Sequence, residues 1–141
     1  MKSSSRLAVW RALDANANRA REGLRVAEDV ARFVWNDKAL TAFLKKIRHG
    51  VTGAEMTMLA KVRRVEARNV DGDTGKGDKQ PSEKVRRCAR DLFHANLKRA
   101  QEALRSLEEF SKLAGRSESS IFKRLRYACY RAEESAVRKR G

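Results

Sequence analysis

Two stretches of this chain carry the same polar side chains at the same spacing. Ala15 to Asp29, ANANRAREGLRVAED, aligns with Ala95 to Glu109, ANLKRAQEALRSLEE, pairing Asn16 with Asn96, Arg19 with Arg99, Glu22 with Glu102, Arg25 with Arg105 and Glu28 with Glu108. On a helix, steps of three and four keep such residues on adjoining turns of one face. A guanidinium offers a planar fork of donors to phosphate or carboxylate, a carboxylate takes magnesium or an amine, and a carboxamide both donates and accepts. The chemistry within reach is recognition of a small anion.

The heptad stripes beside these residues sharpen the point. One stripe reads Asn16, Gly23, Val30 and its counterpart Asn96, Ala103, Phe110; the next reads Arg19, Val26, Phe33 and Arg99, Ser106, Leu113. Polar residues at the head of mostly apolar stripes are partly buried and need partners. Gly23 and Ala103 leave either room for a ligand or space for close helix packing. The partners for Asn16, Arg19, Glu22, Asn96, Arg99 and Glu102 are either a ligand or a structural network, since a duplicated hairpin would copy both. For Arg21, Arg25, Glu28 and Arg32 a solvated ladder of ion pairs at three and four is the simpler reading, at a few tenths of a kcal/mol per pair.

A second candidate lies in the middle of the chain, where RNVDGDTGKGDKQ (residues 68–80) lacks apolar periodicity. It is not a Walker A loop: Val70 stands where the first glycine belongs and Gly77 where a Ser or Thr should follow Lys76. Its backbone amides could hold phosphate and Asp71 or Asp73 magnesium, though a plain linker fits as well. His49 and His94 stand without metal-ligand spacing. Cys88 and Cys129 read as buried free thiols of a reducing compartment.

The elements that must position these groups are helical. Apolar residues recur by threes and fours at Trp10, Leu13, Ala17, Ala20, Leu24, Ala27, Ala31 and Val34, predicting a helix over about 4–35. Asn36 and Asp37 supply a stop and an N-cap, which sends the next helix back antiparallel. That helix carries Leu40, Leu44, Ile47, Val51, Ala54, Met58, Val62 and Val65, with a kink or close contact expected at Gly50 and Gly53. Pro81 and Ser82 open a third helix through Val85, Cys88, Leu92, Ala95, Ala100, Leu104, Leu107 and Phe110. Gly115 ends it, and one of Ser117, Ser119 or Ser120 caps a fourth with Ile121, Leu125, Ala128, Ala132 and Val137.

The fold expected is all-α: an antiparallel bundle of about four long helices in one domain over 1–141, with related hairpins at 4–67 and 83–140 and a Gly/Asp-rich loop at 68–82. In the simplest topology the first and third helices run parallel, so Asn16 and Asn96 sit level, with the loop at their end of the bundle. A net charge of +15 invites a nucleic-acid reading, against which the interleaved glutamates and few aromatics argue. No apolar run approaches the about 20 residues of a membrane span, and MKSSSRLAVWRAL lacks the form of a signal peptide, so a cytoplasmic protein is expected.

The run RALDANANRAREGLRVAEDVARF, followed by LKKIRH, RNVDGDTG and HANLKRAQEALRSLEEFSKL, resembles the all-helical hydroxymethylpyrimidine-phosphate kinase domain found in front of thiamin-phosphate synthase in some bacteria. The likeness runs from about Arg11 to Ala114, and more weakly through the last helix. It implies transfer of the ATP γ-phosphoryl group to hydroxymethylpyrimidine phosphate, with ATP and Mg2+ required and association with thiamin-phosphate synthase. By this likeness Arg19, Glu22 and Arg99 are catalytic, the arginines on phosphate, and Asn16, Asn96 and Glu102 bind substrate. Arg48, Arg68 and Thr74 would hold nucleotide phosphates, and Asp73 the metal. The chain departs from the pattern at Lys76, where a small hydroxyl residue is expected, and, without the family's usual downstream synthase barrel in these residues, is expected to be either an excised domain or a stand-alone form. The competing reading is a basic helical module that binds nucleic acid or a protein partner without catalysis.

Overall fold

The computed structural model describes residues 2–59 and 85–140. Helix α1 spans Ser3–Asp29, and its last turn widens over Val30–Val34, where the Trp35 amide donates to the Val30 carbonyl at 3.0 Å. Helix α2 spans Lys38–Leu59, α3 Ala89–Leu113 and α4 Ser119–Arg140. No strand occurs among the described residues. The bundle is all-α, as the periodicity requires.

The two turns follow the local chemistry. Asn36 takes a left-handed φ of 51°, which asparagine tolerates better than other side-chain-bearing residues. Asp37 then caps α2, its Oδ1 accepting the Leu40 amide at 3.0 Å. At the other turn Gly115 closes α3 with φ 70°.

Apolar seams meet in one core, in which Leu13, Leu24, Leu44, Val51, Phe93, Leu97, Leu104, Leu107 and Phe122 are fully buried. Alanines at 17, 20 and 27 on α1 and at 100 and 103 on α3, all buried, let those two helices come close. Gly50 is the close contact expected in α2: a Cβ there would lie 2.7 Å from Leu125 Cδ2 of α4. The helix passes through it unbroken.

The helix directions are set by a few pairs. Glu28 meets Arg48 and Arg21 meets Glu55, so α1 and α2 are antiparallel. Glu108 meets Arg126 and Gln101 meets Glu133, so α3 and α4 are antiparallel too. Trp35, just past α1, packs on Phe93 near the start of α3 with ring centroids 4.9 Å apart, while Gly23 faces Asn96 and Ala100. Helices α1 and α3 therefore run antiparallel, which corrects the parallel arrangement expected above. Short connections force direction, but a connection as long as that between α2 and α3 leaves both directions open.

Two further expectations change. Residues 85–87 are not helical and α3 begins at Ala89, so Cys88 sits at the helix entrance, exposed, while Cys129 is buried. The ladder expected along α1 gives way to pairs between helices, because Glu28 is buried at 5% exposure and reaches Arg48 on α2.

Candidate functional site

Helices α1 and α3 form the walls of a cleft of ≈ 620 Å³. From α1 it takes Asn16, Arg19, Glu22, Gly23 and Val26; from α3 it takes Asn96, Arg99, Glu102, Ala103 and Ser106. Both copies of the repeated motif thus face one space. Because the helices are antiparallel, the asparagines are not level: Asn96 lies beside Gly23, two helical turns or roughly 10 Å along α1 from Asn16.

At Gly23 the two walls are in close backbone contact. A Cβ on Gly23 would lie 2.5 Å from the Asn96 carbonyl oxygen and 3.2 Å from the Ala100 amide nitrogen. Asn16 and Asn96 are each 8% exposed and fixed in the same way. Asn16 Nδ2 donates to the Ala12 carbonyl and Asn96 Nδ2 to the Leu92 carbonyl, both at 2.9 Å. Each amide keeps its Oδ1 acceptor and one hydrogen for a ligand.

Four charges stand at the rim of the cleft. Arg19, Glu22, Arg99 and Glu102 are exposed, and among the described residues none has an ion-pair partner within 4.0 Å. Arg19 and Glu22 share a face at a spacing of three and still do not pair. Two guanidiniums and two carboxylates are left for whatever enters the cleft.

Behind each wall stands an ion pair, half-buried at Arg48 and buried at Arg126. Arg48 forks onto Glu28 through Nε and Nη2 at 2.8 and 3.3 Å, and Arg126 onto Glu108 at 3.1 and 3.0 Å. Glu28 and Glu108 follow Leu24 and Leu104 by four residues and so flank the core seam, a position the sequence displays; their partners on α2 and α4 are not visible in it. Arg48 therefore carries a structural role beside its expected place near nucleotide phosphates.

Arg48 also lines a second, smaller groove with Arg21, Glu22, Arg25 and Val26. The groove adjoins the cleft through Glu22 and Val26. Arg21 and Arg25, read from sequence as part of a surface ladder, are the groove residues that reading missed. Arg68, Asp73 and Thr74 lie outside the described residues. Among the described residues no cluster of three His, Cys, Asp or Glu side chains is placed to hold a metal alone, and no helix is long and apolar enough to cross a membrane.

An all-helical bundle with a charged cleft between its two hairpins is the class of protein that this fold and site define. Residues 11–135 match the ThiD2 family model, and the chain belongs to the ThiD2 family. The resemblance read from the motifs is borne out at that level.

The chain is 40% identical over 130 residues to the thiamine-phosphate synthase of Rhodopirellula baltica, covering 92% of this chain and 34% of that protein. It is 38% identical over 137 residues to the thiamine-phosphate synthase of Synechocystis, covering 97% of this chain and 38% of the relative. To that of Thermosynechococcus vestitus it is 40% identical over 125 residues, covering 89% and 34%. The chain thus spans roughly a third of the length of these curated relatives. No solved structure matches it.

Proposed function

We propose that the protein transfers the γ-phosphoryl group of ATP to the phosphate of hydroxymethylpyrimidine phosphate, giving the diphosphate used in thiamin formation. One observation carries this reading: Arg19 and Arg99, from different hairpins, line one cleft and have no partner among the described residues. Membership of the ThiD2 family and likeness to proteins named thiamine-phosphate synthase support a role in thiamin formation, within which this reaction falls.

The chemistry asks little of acids and bases. An oxygen of the acceptor phosphate, already ionised, attacks the γ-phosphorus; that P–O bond forms as the bond from γ-phosphorus to the β–γ bridging oxygen breaks, and ADP leaves with the electron pair. Charge is conserved without a proton moving. What the site must supply is alignment of two polyanions and neutralisation of their repulsion. Arg19 and Arg99 provide fixed positive charge from opposite walls. Asn16 and Asn96, held by their own helices, offer hydrogen bonds to a pyrimidine or its amine.

Magnesium fits the donor set. Glu22 and Glu102 supply the one or two carboxylates that the ion accepts beside phosphate oxygens. Bound there, it would neutralise charge on the transferring phosphoryl group. Asp73, outside the described residues, stays a candidate ligand. A thiamine-phosphate synthase, as these relatives are named, would then take up the diphosphate, and the reaction would run in the cytoplasm.

The test is a coupled assay with MgATP, offering the phosphorylated and the unphosphorylated pyrimidine side by side. Diphosphate formed from the phosphorylated acceptor alone is the expected result. Absence of diphosphate, together with equal substrate binding by wild type and Arg19→Ala, would overturn the reading and leave a basic binding module.

A further inference from the structure

The hairpins repeat each other, and the places where the repetition fails show how they differ in function. Glu28–Arg48 corresponds to Glu108–Arg126, and Arg21–Glu55 to Gln101–Glu133. In this register Arg21 is replaced by Gln101, Arg25 corresponds to Arg105, and Thr52 to Tyr130.

Two of these differences leave more free donors on the first hairpin, while Arg21 itself is held by Glu55 through Nη1 and by the Asn18 side-chain oxygen through Nη2. Arg126 Nη1 donates to the Tyr130 hydroxyl at 3.1 Å, so all three of its nitrogens are engaged. The Thr52 hydroxyl instead turns back to the Arg48 carbonyl, and Arg48 Nη1 donates to nothing among the described residues. Arg105 lies 3.8 Å from Glu108 and 3.4 Å from Glu109, whereas Arg25 has no ion-pair partner among the described residues. The groove of ≈ 450 Å³ lined by Arg21, Arg25 and Arg48 opens beside the cleft at Glu22 and Val26.

The geometry points to a division of labour between the hairpins: the longer polyphosphate, that of the nucleoside triphosphate donor, runs from the cleft into the Arg21/Arg25/Arg48 groove of the first hairpin. The monophosphate acceptor takes the α3 side, where Arg99 is the available cation. This assignment rests on the phosphoryl-transfer reading for the identity of the two ligands. A triphosphate carries more charge and more oxygens than a phosphate monoester and selects the half with more unengaged guanidinium donors. Arg25 is then the residue that distinguishes donor from acceptor.

The test compares Arg25→Gln with Arg105→Gln in the whole chain. Both residues are exposed, so the fold does not hinge on either. Binding of inorganic tripolyphosphate, measured by calorimetry, should weaken about 5- to 10-fold in Arg25→Gln and stay within about 2-fold of wild type in Arg105→Gln. The KM for ATP should rise in parallel while the KM for the pyrimidine phosphate does not move.

Thr52→Tyr, which restores to the first hairpin the hydroxyl that occupies Arg126, should weaken tripolyphosphate in the same direction. Equal loss in the two arginine variants, an increase confined to the acceptor KM, or no tripolyphosphate binding by wild type would overturn the assignment. If wild type makes no diphosphate yet Arg25→Gln alone loses tripolyphosphate, the hairpin assignment stands and the acceptor reading falls.

Discussion

Gly23 of α1 lies directly against the backbone of Asn96 on α3, so close that a Cβ would come 2.5 Å from the Asn96 carbonyl oxygen. Backbone cannot step aside as a side chain can. Gly23→Ala therefore pushes the two cleft walls apart, at a cost of roughly 1–3 kcal/mol typical of overpacking. The gain of about 1 kcal/mol in helix propensity works against that cost, but a clash with backbone at 2.5 Å puts the cost at the upper end of its range. We expect a lower urea midpoint; a midpoint raised above wild type would show that α1 and α3 are not in contact there. Ala103→Gly removes a buried methyl and should lose about 0.8 kcal/mol for it on top of the propensity loss of about 1 kcal/mol.

Arg19 and Arg99 should separate function from stability. Both are exposed and without a partner among the described residues, so truncation to alanine should leave the unfolding free energy within about 0.5 kcal/mol of wild type. If each stabilises charge on the transferring phosphoryl group, kcat/KM should fall about 10²- to 10³-fold, the scale seen for loss of one preorganised donor. Kinetics and thermal melts on the same preparations decide it. A large loss of stability would place these arginines in the architecture instead.

What could be read from the sequence was what a single helix displays. Seams such as Leu13, Ala17, Ala20 and Leu24 showed themselves by their steps of three and four, and Asn36 with Asp37 marked the turn by their own backbone preferences. The repeated Asn16, Arg19 and Glu22 face was visible because the same residues recur at the same spacing as Asn96, Arg99 and Glu102. What could not be read were relations between distant helices. Nothing near Glu28 reveals that Arg48 will reach it, so it passed for one rung of a surface ladder. The α3 direction depended on a connection too long to constrain it, and the groove at Arg25 needs Arg48 of α2 beside it, a neighbour that the α1 sequence does not show.

The buried pair Glu108–Arg126 is a sensitive point for stability. With side-chain exposures of 4% and 11%, removing the carboxylate leaves a guanidinium with no counter-charge inside the bundle. Glu108→Ala should cost about 3–5 kcal/mol. Replacing both residues by apolar ones, as in Glu108→Leu with Arg126→Met, should recover much of that loss, since the desolvation of two charges disappears with them. Chemical denaturation of single and double variants gives the coupling; additive losses would show that the two side chains do not depend on each other.

The two thiols should react at very different rates. Burial pushes the Cys129 thiol up to about 12, with the nearby Glu133 carboxylate acting in the same direction. Cys88 is exposed at the entrance of α3. Because the thiolate is the nucleophile, iodoacetamide near pH 8 should modify Cys88 alone in the folded protein, and Cys129 only in denaturant. Intact-mass spectrometry that shows double modification of the native state would contradict the packing of Cys129 in the core.

Asp37 ties the first turn to the last helix and gives acid stability a predictable form. Its Oδ1 accepts the Leu40 amide at 3.0 Å, and its Oδ2 lies 3.2 Å from both Lys139 Nζ and Arg140 Nη2. The Leu40 bond chiefly, with help from Lys139 and Arg140 and against the effect of burial, holds the carboxyl below its ordinary value of 3.8. A carboxyl whose value is lowered by folding stabilises the fold in its ionised form. That contribution is fully present above 3.8 and is lost as the pH falls through the lower value of the folded state. Asp37→Asn keeps a capping oxygen but no charge, so it should be less stable than wild type near pH 7, with the gap closing as acid protonates Asp37 in the wild type. Asp37→Ala forfeits the cap as well and should cost about 1 kcal/mol more at neutral pH. Urea titrations of the three proteins at neutral and acid pH measure both effects. An Asp37→Asn gap that persists unchanged into strong acid would mean that the charge on Asp37 is not what links the first turn to Lys139 and Arg140.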